Sequence, residues 1–524
     1  MSAADGWTRR GALTGVAASG AALWAASAAK AAPAGTVRAP AGDFVGTRED
    51  DVHAFRGIRY GRAERFRAAV PVSQPGTRVL AQRFGPICPQ KAESDEPRSE
   101  DCLFLNIWTA EPRGAAKKPV MLYIHGGAYS NGSVTDPQTH GHHLAARGDV
   151  VVVTVNHRLN AFGYLYLARL DPRFADSGNL GQLDLILALQ WVRDNIAAFG
   201  GDPDCVMVFG QSGGGAKIAT MMAMPTAKGL FHRAATMSGQ QVTASGPLNA
   251  TARTRAYLQR LGVTETNLDP LLAMPTERLV DALDATDPIL GGGVYFGPVL
   301  DMRWMTRHPF WPDAHPQGLA IPMLLGNTHD ETRAFLSPDS PKVQGLTWDN
   351  VADRIAPELR IDILPEWVVA QYREHFPSWT PTQVFYDATT CGRSWRGQVI
   401  EAEERARAGA PGWVYQLDFG SRTDPRRGAF HTMDIPLVFG TLDAEGAQTG
   451  TAADARTASA AIQESFVAFT KTGNPNHAGL PHWPSYDLAT RSTMVFDTRS
   501  RVEDDPRRWQ RELFARVPYI QPGT

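Results

Sequence analysis

Short apolar runs recur along the chain, separated by stretches in which apolar residues return at helical spacing. The runs predict buried strands over residues 120–125, 150–155, 205–210, 234–239, 321–326 and 413–419. Strands that are apolar at consecutive positions are typical of a parallel sheet whose two faces are both covered. The clearest helical pattern occupies residues 180–199 and ends at a Gly-Gly-Asp-Pro stop signal. This alternation predicts an α/β fold with a mostly parallel central sheet and helices on both faces.

Two long stretches interrupt the alternation of strand and helix. Residues 250–290 and 345–410 carry helical patterns but few strand signals. We interpret them as helical insertions that lie over the sheet, and not as separate domains. The prediction for residues 33–524 is therefore a single domain.

The first 32 residues differ from the rest and predict an export signal. Arg9 and Arg10 precede an Ala- and Gly-rich, weakly apolar run over residues 11–29, and small residues near Ala28 and Ala31 offer cleavage positions. This pattern resembles a twin-arginine signal, which predicts a periplasmic or secreted protein. A frayed N-terminus and a weak membrane anchor are the alternative interpretations.

Charge and composition exclude several classes of partner. The 524 residues carry 52 Lys and Arg against 54 Asp and Glu, a formal net charge of −2, so no basic excess indicates a nucleic-acid partner. After residue 40, no apolar run is long enough to span a membrane. The spacing of the four cysteines does not suggest a zinc site, and we expect no metal.

The stretch FGQSGGGAK, residues 209–217, is the strongest candidate for chemistry. Gly210, Ser212 and Gly214 fit the pattern G-x-S-x-G, directly after a predicted strand and before an apolar segment that predicts a helix. In that setting the chain turns so sharply that glycine is needed two residues before and two after the serine, whose hydroxyl is left exposed. A chance match in a glycine-rich chain is the alternative, and the strand context disfavours it.

A serine nucleophile needs a general base, and the base needs an acid that orients it. In this kind of fold the acid follows the serine along the chain, and the histidine comes last. The other late histidines lie in polar or helical contexts, so His431 is the candidate base. The loop after residues 321–326 offers Asp330 and Glu331 as the acid, and their spacing alone does not separate them.

A second set of small residues follows the first predicted strand. Gly126, Gly127 and Ala128 form a turn whose backbone N–H groups can point into a pocket. The N–H of Gly213 would complete an oxyanion hole from the other side. A plain glycine turn is the alternative, but its position at a strand end favours a functional role.

Further motifs extend this pattern, and with them the chain resembles the type-B carboxylesterases, an α/β-hydrolase family that also contains the cholinesterases. The resemblance extends from FRGIRYG, residues 55–61, to about residue 497. Its motifs are, in order, EDCLFLNIW, YIHGGAY, NHRLNAFGYL, GNLGQLDLILALQWVRDNIAAFGGDP, FGQSGGG, GLFHRAATMSG, GNTHDETRAFL, FHTMDIPLVFG and FTKTGNPN. So many motifs in the same order make the resemblance specific, and it implies an α/β-hydrolase; the twin-arginine pattern predicts that this is a bacterial, exported member.

The resemblance also implies roles for the candidate residues. Ser212 would be the nucleophile and His431 the general base. Glu331 would be the acid, because the acid of the family is the glutamate of its Asp-Glu-Gly motif. The resemblance implies no metal and no organic cofactor.

The resemblance extends to the oxyanion hole and to one pair of cysteines. The oxyanion positions of the family fall on Gly127, Ala128 and Gly213, and its first disulfide falls on Cys88 and Cys102. The short segment between the two cysteines contains no aromatic residue. Cholinesterases hold a tryptophan there that stacks on the choline ammonium, so we expect no choline-ester specialist.

The chain departs from the family pattern at three positions close to these residues. Gln211 stands where glutamate is usual, Gly213 where alanine is usual, and Thr332 replaces the glycine after the acid. None of these changes removes a catalytic group. We therefore expect a serine ester hydrolase that forms an acyl-enzyme intermediate and acts on a small-molecule ester and water.

Two other functions remain open at the level of sequence. One is a narrow-specificity hydrolase of carbamate, aromatic or natural-product esters, whose pocket would be built by the insertions. Tyr295, Phe296, Phe310 and Trp311 are equally compatible with lining that pocket and with the core. The other is a non-catalytic binding member of the fold, which the intact serine, acid and histidine disfavour. The sequence does not indicate an oligomeric state.

Overall fold

A twisted sheet flanked by helices forms the centre of the protein in a computed structural model, which describes residues 32–112, 117–521 and 523. Thirteen of the described strands make one sheet, and two short strands, β4 and β5, pair separately. The strands are β1 (Ala32–Ala39), β2 (Gly42–Glu49), β3 (Val52–Arg59), β4 (Gly61–Arg62), β5 (Val70–Pro71), β6 (Arg78–Leu80), β7 (Phe104–Thr109), β8 (Lys118–Ile124), β9 (Val151–Val155), β10 (Gly201–Gln211), β11 (Arg233–Met237), β12 (Met323–Thr328), β13 (Gly412–Leu417), β14 (Ser492–Phe496) and β15 (Arg501–Asp504).

The sheet has the order β1-β2-β3-β7-β9-β8-β10-β11-β12-β13-β14-β15, with β6 beside β2. All neighbours from β9 to β14 are parallel. The pairs β1–β2, β2–β3, β3–β7, β7–β9 and β14–β15 are antiparallel. The six predicted strands are β8 to β13, which form most of the parallel centre, so the predicted α/β-hydrolase fold is confirmed.

Helices cover both faces of this sheet. They are α1 (His142–Gly148), α2 (Asn160–Tyr164), α3 (Leu180–Asn195), α4 (Gly213–Met221), α5 (Pro247–Leu261), α6 (Asp269–Ala273), α7 (Thr276–Asp281), α8 (Val351–Ile355), α9 (Pro365–His375), α10 (Pro381–Thr390), α11 (Arg396–Arg407), α12 (Asp434–Phe439), α13 (Ala453–Thr472) and α14 (Arg508–Phe514). A π-helical turn, Cys391–Trp395, joins α10 to α11.

The alternation of side chains along each central strand divides the core between the two faces. On β8, Leu122 packs in the cluster that contains residues of α3 and α4. Its neighbours Met121 and Tyr123 pack in the opposite cluster, with residues of α1, α12 and α13. Successive side chains of a strand point to opposite faces of the sheet. Because helices cover both faces, the side chains on either face are buried against apolar neighbours, which explains the uninterrupted apolar runs.

The two predicted insertions are largely helical. The first contains most of α5 and all of α6 and α7, and the second contains α8, α9, α10 and α11. A separate apolar cluster holds the second insertion together and includes Val351, Tyr372 and Phe385. The insertions bring loops to the carboxyl ends of the parallel strands, which is where α/β proteins bind their ligands.

Three expectations from the sequence concern the export signal, a membrane span and a disulfide. The predicted export signal falls almost entirely on residues 1–31, which lie outside the described residues. In the described part of the chain, no helix has both the length and the apolar character needed to cross a bilayer. The expected disulfide is not formed in the structure, where Cys88 and Cys102 are separate, buried thiols. A hydrogen bond between them contributes to a raised pKa of Cys102, so the two thiols are neighbours.

Candidate active site

The candidate nucleophile lies on a strained turn between β10 and α4. Ser212 has φ 55° and ψ −125°, a backbone conformation that is costly for a residue with a side chain. Its N–H donates a hydrogen bond of 2.7 Å to the carbonyl of Met237, which ties the turn to β11. A Cβ on Gly210 would lie 2.7 Å from the carbonyl oxygen of Ile124, and one on Gly214 would overlap the same oxygen. The two glycines therefore permit the close approach of β8 to this turn.

The structure places His431 against Glu331. Glu331 begins the short 3₁₀ helix Glu331–Ala334 after β12, and His431 lies in the loop before α12. Nδ1 of His431 makes a hydrogen bond to Oε2 of Glu331. The other carboxylate oxygen of Glu331 accepts hydrogen bonds from Nδ2 of Asn327 at 2.9 Å and from the N–H of Thr328 at 2.8 Å. The carboxylate is thus fixed by three donors, one of which is the imidazole.

The charge state of Glu331 follows from these contacts. Burial acts to raise the pKa of Glu331, but the charge and hydrogen bond of His431 and the hydrogen bond of Asn327 outweigh it, and the pKa lies below its ordinary value. Glu331 is fully buried and His431 nearly so. A buried carboxylate that stays ionised fixes the tautomer of its imidazole partner and stabilises the imidazolium when it forms.

Asp330 faces away from the imidazole, although it is adjacent to Glu331 in sequence. Its Oδ2 accepts a hydrogen bond of 3.1 Å from the N–H of Ala429. Its Oδ1 lies 3.1 Å from Nε of Arg333. The structure therefore brings Glu331, and not Asp330, to His431.

Nε2 of His431, the nitrogen that faces away from Glu331, lies beside Gln211. The distance between Nε2 of Gln211 and Nε2 of His431 is 3.1 Å. An amide N–H that donates to this nitrogen leaves the imidazole proton on Nδ1, opposite Glu331. Ser212 and His431 line one cavity, and within the described residues no hydrogen bond joins the serine hydroxyl to the imidazole.

The predicted oxyanion residues lie together beside Ser212. Gly127 and Ala128 both have positive φ, 77° and 53°. A Cβ on Gly213 would overlap the backbone of Ala128, so the first turn of α4 packs directly on this loop. None of the N–H groups of Gly127, Ala128 and Gly213 is satisfied by another described residue. Three unsatisfied donors next to a serine hydroxyl are the arrangement that binds an oxyanion.

Lys217, which was not among the residues expected from the sequence, also supports this loop. This lysine of α4 is fully buried. Its Nζ donates hydrogen bonds to the carbonyl of Ala128 at 2.7 Å and to that of His125 at 3.3 Å. Burial lowers the pKa of Lys217 to about 7. A lysine five residues after the serine in an otherwise apolar helix was the available sequence signal.

These groups face a cavity of about 670 Å³, which is large enough for a small organic ester. Its walls include Leu290, Tyr295 and Phe335, with Arg360 and Arg393 from the second insertion and Tyr519 and Gln521 from the C-terminal segment. Of the four aromatics considered from sequence, Tyr295 lines this cavity. Phe296 and Phe310 are core residues, and Trp311 is 59% exposed.

The described residues contain no group of three or more His, Cys, Asp or Glu side chains that could hold a metal ion. The groups that the site brings together are a serine hydroxyl, an imidazole, a carboxylate and backbone N–H groups. A serine with a base, an oriented acid and free N–H donors can transfer an acyl group from an ester to water.

Comparisons with known proteins find relatives of this chain over most of its length. A family model described as the Carboxylesterase family matches residues 33–514. The para-nitrobenzyl esterase of Bacillus subtilis (strain 168) is 35% identical over 487 residues, which cover 90% of this chain and 96% of that protein. The phenmedipham hydrolase of Pseudarthrobacter oxydans is 32% identical over 501 residues, covering 87% of this chain and 93% of that protein.

Solved structures resemble the chain over nearly the same span. Carboxylesterase EST55 of Geobacillus stearothermophilus superposes with a TM-score of 0.82 at 35% identity, covering 91% of this chain and 99% of that one. An esterase from anaerobic Clostridium hathewayi that can hydrolyze aliphatic aromatic polyesters has a TM-score of 0.77 at 31% identity, covering 93% and 98%.

Proposed function

Because this chain belongs to the carboxylesterase family and is a carboxylic ester hydrolase, we propose that it works through Ser212, His431 and Glu331 and an acyl-enzyme intermediate. One observation carries this proposal. The buried His431–Glu331 pair and the strained turn of Ser212 face the same cavity, beside three unsatisfied N–H groups. Each part has a role in acyl transfer.

In the first half of the reaction, the hydroxyl oxygen of Ser212 attacks the ester carbonyl and its proton passes to Nε2 of His431. Glu331 keeps the other imidazole proton on Nδ1 and stabilises the imidazolium that results. The negative charge on the carbonyl oxygen is taken up by the N–H groups of Gly127, Ala128 and Gly213. Each such donor lowers the barrier by about 3 kcal/mol.

In the second half, the tetrahedral intermediate collapses and the imidazolium of His431 gives its proton to the leaving alcohol. Water then attacks the acyl group on Ser212, and His431 takes one of its protons. The carboxylic acid leaves and the serine hydroxyl is restored. Every proton that leaves a nucleophile in this cycle is returned to a leaving group.

Gln211 affects the first proton transfer, because its amide occupies Nε2 of His431 in the structure. The serine hydroxyl has to replace this amide before it can give up its proton. Catalytic hydrogen bonds are often long in ligand-free enzymes and shorten when substrate binds. We therefore expect the Ser212–His431 hydrogen bond to form in the substrate complex.

The test of the mechanism uses p-nitrophenyl esters from acetate to decanoate, with the wild type and matched variants. Ser212→Ala should abolish turnover. Glu331→Gln should lower kcat by about 10³- to 10⁴-fold, because an amide opposite Nδ1 disfavours the required tautomer. Asp330→Asn is the matched control and should lower kcat far less, since this carboxylate faces Ala429. The opposite ranking of these two variants would show that the acid is assigned wrongly.

Narrow specificity is the second candidate function, and one observation favours it. The two insertions contribute Asp287, Leu290, Arg360, Arg393 and Ser394 to the cavity wall, and the phenmedipham hydrolase resembles this chain over most of its length. If no p-nitrophenyl ester is turned over, an organophosphate label on Ser212 would support this function. Absence of both turnover and label would support a non-catalytic binding protein.

We also propose that the protein is exported, on the basis of the twin-arginine pattern at its N-terminus. Cys88 and Cys102 are buried neighbours, so oxidation outside the cytoplasm would join them without large movements. We expect peptide mapping of the exported protein without reductant to find the Cys88–Cys102 disulfide. Two free thiols in that protein would contradict the pairing.

A further inference from the structure

Two arginines of the second insertion line the active-site cavity. Arg360 follows α8, and Arg393 lies in the π-helical turn between α10 and α11. Both side chains line the same cavity as Ser212 and His431. Their backbones are held together, because the N–H of Arg360 donates a hydrogen bond of 2.9 Å to the carbonyl of Gly392. The two guanidinium groups thus belong to one fixed part of the wall.

The positive charge of this wall is not balanced by the protein. The described residues place no carboxylate within ion-pair distance of Arg360, and its Nε is buried without a hydrogen-bond partner. Arg393 has one carboxylate neighbour, Glu358 at 3.5 Å, and Lys342 binds the same carboxylate at 2.7 Å. Burial, together with the charge of Arg360, holds the pKa of Arg393 below its ordinary value. Arg393 and Lys342 therefore share one carboxylate, and Arg360 has none.

The carboxylate that lines the cavity does not supply the missing charge. Asp287 forms a buried ion pair with Arg253 at 2.7 Å. The same side chain accepts hydrogen bonds from the N–H groups of Ile289, Leu290 and Tyr295. A carboxylate with these partners is already compensated. The charge of Glu331 also acts on Arg393, but that carboxylate is hydrogen-bonded to His431, so Arg360 keeps an unmatched positive charge at the cavity wall.

The arginines lie close enough to the reacting atoms to contact a bound ester. The guanidinium carbon of Arg393 is 4.7 Å from the centre of the Phe335 ring. The same ring lies 4.9 Å from the imidazole ring of His431. A single aromatic ring therefore separates Arg393 from the catalytic base, a spacing that a substituent a few bonds from the ester group can bridge.

We propose that the preferred substrates are esters that carry a carboxylate, which Arg360 and Arg393 bind while Ser212 attacks the ester. This inference rests on the proposed function and names the substrate class of the same site. Arginine is suited to the role, because its planar guanidinium binds a carboxylate through two parallel hydrogen bonds. The bound carboxylate would supply the negative charge that the described residues do not place beside Arg360.

The test compares pairs of esters that differ in one charge. For a carboxylate on the acyl side, the pair is mono-p-nitrophenyl suberate and p-nitrophenyl octanoate. For a carboxylate on the alcohol side, the pair is 4-acetoxybenzoate and 4-acetoxybenzamide. Each enzyme gives a ratio of kcat/KM for the charged over the neutral ester. Comparing this ratio between enzymes cancels the intrinsic reactivity of the two esters.

For at least one pair, Arg360→Gln and Arg393→Gln should each lower this ratio by about tenfold or more, as expected for a lost charge-assisted hydrogen bond. The pair that responds identifies the side of the ester that carries the charge. Arg373→Gln removes an exposed arginine of the same insertion and is the matched control. Added salt should lower the ratio of the wild type, because it screens the attraction.

Unchanged ratios for both pairs in both variants would overturn the inference and leave the esterase mechanism intact. Failure of the wild type to hydrolyse any of the four esters would count against both the carboxylate preference and the esterase mechanism. Labelling of Ser212 by an organophosphate would then retain the mechanism and refute only the preference, whereas absence of the label would refute both. If a variant does not fold, inhibition of the wild type gives the answer. Suberamate should inhibit at least about tenfold more strongly than suberamide, or 4-hydroxybenzoate more strongly than 4-hydroxybenzamide; equal inhibition within both pairs would refute the inference.

Discussion

Replacing Lys217 by methionine tests how the oxyanion loop is supported. Methionine nearly matches the length of the lysine stem but has no group that can donate to the carbonyls of Ala128 and His125. The lysine is fully buried, and burial lowers its pKa to about 7 from an ordinary value of 10.5. The unfolded chain therefore binds a proton at Lys217 over a pH range in which the folded protein has released it.

The magnitude follows from the difference between the two pKa values. Between pH 7 and pH 10.5 the unfolded state binds one more proton than the folded state, so the free energy of unfolding increases with pH by about 1.4 kcal/mol per unit. Below pH 7 both states are protonated and this contribution is constant. As the pH rises from about 7.5 to about 9, the difference in the free energy of unfolding between the wild type and Lys217→Met should thus increase by about 2 kcal/mol.

Urea unfolding of both proteins at several values of pH measures this contribution. The wild-type value minus the variant value isolates Lys217, because all other titrating groups are common to both. Lys228→Met removes an exposed lysine near α4 and controls for the change in net charge. A difference between wild type and Lys217→Met that is constant from pH 6 to about pH 9 would refute the reasoning. It would mean that Lys217 keeps its proton in the folded state.

Two further predictions concern the turn that carries the nucleophile. Gly214→Ala places a Cβ on a backbone carbonyl of β8; we expect the free energy of unfolding to fall by about 1–3 kcal/mol, measured by urea unfolding. Gly246→Ala, where a Cβ meets open space, is the control, and an equal effect of both would contradict the packing account. Gln211→Glu removes the N–H donor that occupies Nε2 of His431, so the serine hydroxyl no longer has to replace an amide there and kcat/KM should rise by about two- to tenfold. An unchanged kcat/KM would mean that residue 211 does not contact the base during turnover.

The sequence predicted the centre of the sheet better than its edges. Each of the strands β8 to β13 contains a run of buried, mostly apolar positions, because helices cover both of their faces. β2, which lies next to the end of the sheet, mixes buried, intermediate and exposed positions, and the edge strand β15 has no buried position. Their apolar runs are too short or too polar to predict a buried strand. Pairing with a neighbouring strand, and not local composition, makes them strands.

The site shows the same division between local and tertiary information. The turn of Ser212 is predictable because its glycines are adjacent to it in sequence. Asp330 and Glu331 are also adjacent, yet only folding decides that one faces Ala429 and the other faces His431. The family resemblance named Glu331, whereas spacing did not.

Helix α4 links the parts of the site more tightly than a sequence motif conveys. Ser212 precedes its first residue, Gly213 begins it, and Lys217 follows within about one turn. Since Gly213 has no Cβ, the backbone of Ala128 can pack against the helix, and Lys217 then binds the carbonyl of the same residue. The nucleophile, one oxyanion donor and the support of the opposite loop therefore move as one rigid helix. None of these contacts involves an insertion residue, so a substitution within the insertions should leave the relative positions of these groups unchanged.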